Sequence, residues 1–293
     1  MADLRLVPLS STDAHPYWQV YLDGRTDTPT RSLTDHVERY IALSPEEQRT
    51  HFAFRDGDRI VGTVRLAPGV LYGFAMAPSH QDRSGAAIVK ALDVVRAQGS
   101  REVTATFEDR YEDAFRRTGF ERSFARIRME APTAGHVPPR HADLRHPEEA
   151  EVAGLARFLR EVYEGHMEQA FGMHVGSDDE WREYATGLLK GEVGRFMPDA
   201  SFVRTEGDRV TGAVLTTHWM GAPLVAELGV IHDRRGQGLG RALLVAALNR
   251  LAALGEPRLA LYVTVGNDPA LTLYRSLGFV PVGGQTVTAK RSA

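Results

Sequence analysis

Apolar positions in the second half of the chain switch between two periods. In EEAEVAGLARFLREVYEG (148–165), Val152, Leu155, Phe158 and Leu159 recur at helical spacing and predict an amphipathic helix. DDEWREYATGLLKG (178–191) predicts a second helix, with Asp178 or Asp179 as its cap. Alternation then takes over. ADLRH (142–146) reads as a first strand, SFVRTEGDRVTGAVLTTHW (201–219) as two strands joined by a turn at Gly207, and APLVAELGVI (222–231) as a further strand. Residues 239–254 form a long helix, RLALYVTV (258–265) a strand, and PALTLYRSLG (269–278) a short helix ended by Gly278. FVPV (279–282) and QTVTAK (285–290) close the chain as two strands. Strands mixed with helices on both faces predict an α/β fold.

The first half passes through the same elements less cleanly. GDRIVGTV (57–64) is answered by GDRVTGAV (207–214), and RRTGF (116–120) by RSLGF (275–279). Two matches in the same order indicate an internal repeat. The proline-rich APTAGHVPPRHA lacks periodicity and predicts a linker at 131–142, between domains at 1–130 and 143–293. The length of 293 residues suits about two domains.

Composition narrows the chemistry. A net charge of −3 provides no basic field for nucleic acid or an anionic membrane surface. The absence of cysteine excludes disulfides, thiolate metal sites and a cysteine nucleophile. The N-terminus lacks the apolar core of a signal peptide, and no apolar run approaches the roughly 18 residues of a membrane span. A cytoplasmic protein, monomer or homodimer, with no nucleic-acid or membrane partner and no metal, is expected.

RRGQGLGRALL (234–244) places Gly236, Gly238 and Gly240 at alternate positions just where the long helix begins. Glycine packs nothing and loses entropy on folding, so three together imply that the backbone must approach something closely. A strand leading through such a turn into a helix aims backbone N–H groups and the positive helix end at one point, an arrangement suited to phosphate. The spacing is not that of a dinucleotide fingerprint, and no Gly-Lys-Ser/Thr follows for a nucleotide-hydrolase loop.

VIHDRRGQGLGRALL followed by NDPALTLYRSLGF resembles the GCN5-related N-acetyltransferase (GNAT) family. Arg235, Gly238 and Gly240 meet the family's Arg/Gln-x-x-Gly-x-Gly/Ala loop. Asn267, Ala270, Tyr274, Gly278 and Phe279 meet its second signature. The resemblance implies two tandem GNAT-like domains, each a mixed, splayed sheet. It also implies an acetyl-CoA co-substrate whose pyrophosphate lies on the loop and whose pantetheine arm lies between splayed strands.

The positions implied for the coenzyme are Leu228, Val230, Ile231, His232, Arg235, Gly236, Gln237, Gly238, Leu239, Gly240, Arg241, Asn267, Ala270 and Tyr274. An amine would attack the thioester directly. That needs a base, oxyanion donors and an acid for the leaving thiolate. Glu227, acidic within an apolar strand, is the candidate base, and burial would raise its pKa. Amides of 228–230 are candidate oxyanion donors, and Tyr274 is the candidate acid. A non-catalytic acyl-CoA-binding sensor is the alternative, although it would have no use for the Tyr274 hydroxyl.

The corresponding first-half loop, PSHQDRSGAAIVK (78–90), holds only Gly85. Aligning Gln81 with Arg235 puts Asp82, Ser84 and Ala86 at the glycine positions. Phe115 stands for Tyr274 and Glu108 for Asn267, so this half reads as a non-catalytic scaffold. The arrangement resembles the mycothiol synthases, a two-domain branch of the family whose C-terminal half is catalytic. A small-molecule primary amine is the expected acceptor. EGHMEQAFGMHVGSDDEW (164–181) overhangs the acceptor pocket in such folds. It carries His166, Glu168, Phe171, His174, Asp178, Asp179 and Trp181, a mix suited to a cation.

Overall fold

A computed structural model describes residues 4–26, 31–137, 143–219 and 221–292. The chain divides into two compact units, one of residues 1–127 with 283–293, the other of 128–282.

The first unit begins with β1 (Arg5–Pro8), α1 (Ala14–Asp23), α2 (Leu33–Ala42) and the single turn α3 (Pro45–Gln48). Next come β2 (His51–Asp56), β3 (Arg59–Ala67), β4 (Val70–Met76), α4 (Ser84–Ala97), β5 (Glu102–Glu108) and α5 (Glu112–Arg117). Strands β1 to β4 pair antiparallel in order. β4 meets β5 in parallel at Val70–Thr104 and Leu71–Ala105.

β6 (Glu121–Pro132) carries the chain into the second unit. The expected linker therefore begins as strand: Ala131 and Thr133 are buried, and Thr133 donates to the Pro257 and Glu256 carbonyls. Residues 138–142 lie outside the described ones.

The second unit holds α6 (Val152–Tyr163), α7 (Asp178–Lys190), β7 (Arg195–Phe196), β8 (Phe202–Glu206), β9 (Arg209–Trp219), β10 (Ala222–Val230), α8 (Leu239–Ala253), β11 (Arg258–Thr264) and α9 (Asp268–Ser276). β8, β9 and β10 are antiparallel. β10 meets β11 in parallel only at Leu224–Ala260, so the two strands splay beyond that point. The apolar stripe of α6 (Leu155, Phe158, Leu159, Val162) packs with Trp181, Ala185 and Leu188 of α7 over Ala213 and Leu215 of β9. Both units are α/β, as the two periods predict.

Three local expectations change. ADLRH contributes no strand, since Arg145 forms one isolated bridge to Val203 and the chain then meets Pro147, which has no N–H to continue pairing. FVPV and QTVTAK form one strand, β12 (Val280–Ser292). Thr286 to Ser292 pair with β5, burying Val287 and Ala289, so the end of the expected 143–293 domain belongs to the first unit. A strand that covers an open edge satisfies a row of backbone groups there.

The cap of α7 is Ser177 rather than Asp178 or Asp179. Its hydroxyl accepts from the Glu180 N–H, and Glu180 reaches back to the Ser177 N–H, a capping box. Ser177→Ala should cost about 1 kcal/mol in chemical denaturation. Asp179→Ala, which loses only a charge beside the helix dipole, should cost a few tenths, about 0.3 kcal/mol. The reverse ranking would return the cap to the aspartates.

Candidate active site

β10 alternates along its length, and Glu227 and Gly229 point into the layer beneath α6 and α7. An irregularity between Val225 and Glu227 adds one residue to β10 relative to β9 and sets Glu227 opposite Leu215. Glu227 is 4% exposed. Both carboxylate oxygens are satisfied: Tyr163 donates to Oε2 at 2.7 Å, and Tyr184 donates to Oε1. Burial pushes the Glu227 carboxyl above its ordinary value, while the two tyrosine bonds and His174 pull the other way. The expected burial of this residue is therefore present.

The turn between α6 and α7 builds a second polar cluster. Glu168 is buried, accepts from the Thr264 hydroxyl at the end of β11, and lies 2.8 Å from His174 Nε2. His166 accepts from the Glu168 N–H and meets Asn267 Nδ2 at 3.3 Å through its other ring nitrogen. Burial lowers the His166 pKa. The His174 ring stacks on Tyr163, centroids 3.7 Å apart, with Trp181 near-parallel to both. Of the residues expected here, His166, Glu168, His174 and Trp181 come together. Asp178 and Asp179 stay exposed, Asp178 on Arg160.

Tyr274 and Leu271 form the buried face of α9. The Tyr274 hydroxyl makes no hydrogen bond to a described residue. Burial raises its pKa first, with Glu227 and Glu168 adding to it, so the phenol is held protonated. Asn267 caps α9 by accepting from the Ala270 N–H.

After β10 and Ile231, a short turn (His232–Arg234) and Arg235 lead to Gly236 and Gly238 at φ +75° and +79°, then to Leu239 as the first residue of α8. Side chains resist that left-handed conformation, and space beside both glycines is open for 4 Å. Gly240 differs. It is helical, and a Cβ there would make ordinary contact with Leu273 and Val230. Two of the three glycines are thus required by backbone conformation and the third is not. No side chain caps α8, which leaves its first N–H groups facing outward.

The neighbouring side chains are committed elsewhere. Arg235 donates to the Val230 and Val162 carbonyls, Arg241 to Ser276 and Gln237 to the Asp233 carbonyl, while His232 meets the Glu164 carbonyl. Arg235 therefore acts as a brace for β10 and α6.

The first unit repeats the frame with different residues at the corresponding positions. Registers Thr63–Ala75 and Leu66–Leu71 parallel Ala213–Gly229 and Thr216–Val225, one extra residue falling on the second strand each time. Gly73 therefore occupies the Glu227 position, with the Arg65 chain alongside. Met76 takes the Val230 position, but its N–H donates to the Tyr111 hydroxyl at 3.0 Å, where the second unit has Ala270. Phe115 is fully buried and stacked on Phe107 at 3.7 Å. Glu108 accepts from Thr26.

Tyr163, Tyr184 and Thr264 were not among the residues expected from sequence. Both tyrosines continue apolar helical stripes and read there as core aromatics.

Residues 148–279 match the family described as the acetyltransferase (GNAT) family. A mycothiol acetyltransferase from Corynebacterium aurimucosum is 28% identical over 263 residues, 82% of this chain and 83% of that protein. A GCN5-related N-acetyltransferase structure from Sphaerobacter thermophilus superposes with a TM-score of 0.74 at 14% identity, covering 100% of this chain and 97% of its own. A tandem GNAT protein from the clavulanic acid biosynthesis pathway gives 0.66 at 17% identity over 99% and 98% of the two chains. At these identities the two structures speak for the fold alone.

Glu227 carries a pH signature. A carboxyl whose folded pKa lies above its unfolded value of about 4.5 favours folding least when ionised, so stability falls as pH rises through that window. Glu227→Gln should melt higher than the parent protein at pH 8, and the gap should close below about pH 4.5. A parent protein that is the more stable of the two at pH 8 would mean the tyrosines outweigh burial.

Proposed function

We propose that this chain, whose residues 148–279 match the acetyltransferase (GNAT) family, acetylates a small-molecule primary amine from acetyl-CoA in its second unit. The observation that carries this reading is the juxtaposition around β10. A buried carboxylate lies on one side, a free buried phenol on α9, and an uncapped helix preceded by two left-handed glycines follows the strand.

The residues fit the coenzyme. Open space beside Gly236 and Gly238 lets phosphate oxygens reach loop and helix N–H groups, where dipole and hydrogen bonding act together. The splay of β10 from β11 leaves Leu228 and Val230 half-exposed on an unpaired strand edge, and Ala270 keeps that edge clear of any hydroxyl. Acetyl-CoA supplies a thioester whose carbonyl carbon accepts the amine.

Glu227 takes a proton from the incoming ammonium, directly or through one water, so that the nitrogen lone pair can attack. Amides of 228–230 donate to the carbonyl oxygen as charge develops on it. Tyr274 gives its proton to the sulfur as the C–S bond breaks. Its raised pKa keeps that proton in place until then.

The polar, aromatic lining of Glu168, His166, His174 and Trp181 suits a cationic acceptor, and the likeness to mycothiol acetyltransferases points to a small amine of that class. The first unit is a scaffold. The Tyr111–Met76 bond and the Phe107–Phe115 stack fill the place of the coenzyme arm.

Thiol release across a panel of amines tests the reaction, and activity with none of them would leave a coenzyme sensor. Tyr274→Phe should lower turnover by about 10²-fold with coenzyme affinity nearly unchanged. Equal loss of affinity with no loss of turnover would assign Tyr274 to packing. Calorimetry should give one coenzyme per chain, and Gly238→Val should abolish it. Two equivalent coenzymes would restore a working site to the first unit.

A further inference from the structure

His174 is the one non-glycine among the described residues with a positive φ, at +53°. Such a conformation is unfavourable for a residue with a side chain and persists where surrounding contacts enforce it. Three do so here. Its ring lies flat on Tyr163 at 3.7 Å and 4°, its Nε2 is 2.8 Å from Glu168, and its carbonyl accepts from Gln169 Nε2 at 3.2 Å. Glu168 in turn is 7% exposed and tied to Thr264. A buried carboxylate needs hydrogen bonds and a counter-charge, and the imidazole is placed to give both.

Tyr163 is the link to chemistry, because its hydroxyl holds Glu227 Oε2. Resting on the reading of Glu227 as the base, we propose that His174, anchored by Glu168, is a positioning residue for it. The ring fixes the Tyr163 phenol against the carboxylate and so sets the orientation in which that carboxylate accepts a proton.

The groups facing Glu227 are Tyr163 from α6, Tyr184 from α7, Glu168 and His174 from the turn, and Tyr274 from α9. Those facing His174 are Glu168, His166 and Tyr163, with Arg235 acting on His166. Among these groups His174 draws the Glu227 pKa down while Glu168 drives it up.

His174→Gly removes ring and charge and relieves the strained φ, and His174→Asn, also at ease in that conformation, is the companion variant. The readout is kcat/KM against pH, whose acid limb reports the free enzyme's base. Both variants should retain coenzyme affinity and lose about tenfold or more in kcat/KM at neutral pH. Their acid limb should move up by on the order of one pH unit, the scale of one nearby charge. Added imidazole should partly restore His174→Gly.

A variant that is more stable, equally active and unshifted in its limb would overturn the proposal and leave His174 a turn residue. Glu227→Gln separates the two ideas. If it retains full activity and the same limb, the base reading fails. If it is inactive while the His174 variants are unshifted, only the positioning role fails.

Discussion

A carboxylate inside an apolar layer is the constraint on which the second unit depends. Glu227 sits 4% exposed beneath two helices, where an ionised group without partners would be severely disfavoured. Tyr163 and Tyr184 meet that need from α6 and α7, so one residue of β10 registers both helices against the sheet. The arrangement propagates through Tyr163 to His174, from His174 to Glu168, and from Glu168 to Thr264 on β11. His166 extends it to Asn267 at the start of α9, the helix that carries Tyr274.

The same frame without that carboxylate does something else. In the first unit Gly73 occupies the equivalent strand position and brings no carboxylate to that place. Space is filled by aromatic rings: Phe74, Phe107, Tyr111 and Phe115 pack edge-to-face and face-to-face. Tyr111 satisfies the strand's own N–H. Such packing stabilises a core through burial and ring geometry.

The loop before α8 takes its shape from backbone conformation. Gly236 and Gly238 turn the chain left-handed, α8 begins without a side-chain cap, and Arg235 is spent bracing β10 and α6. Attraction for an anion then falls to amides and the helix dipole rather than to arginine.

Much of this was legible in the chain itself. Helical spacing in 148–165 and 178–191, alternation through 201–231 and the two repeated segments determine an α/β fold in two copies, because burial requires apolar faces of those periods. The glycine run and the Asn267–Phe279 signature picked out the left-handed turn before α8 and the buried Tyr274 of α9, since backbone conformation and local spacing are written in sequence. The fate of the last strand was not, for Val287 and Ala289 alternate in the same way whichever edge they cover. Tyr163 and Tyr184 were equally hidden, each indistinguishable from a core aromatic until the fold brings a carboxylate within reach. Partners distant in sequence, such as Glu168 and Thr264 or Tyr163 and Glu227, exist only once the chain has closed on itself. The tertiary structure therefore decided how the Glu227 carboxylate is held, because hydrogen bonding and desolvation depend on distance in space.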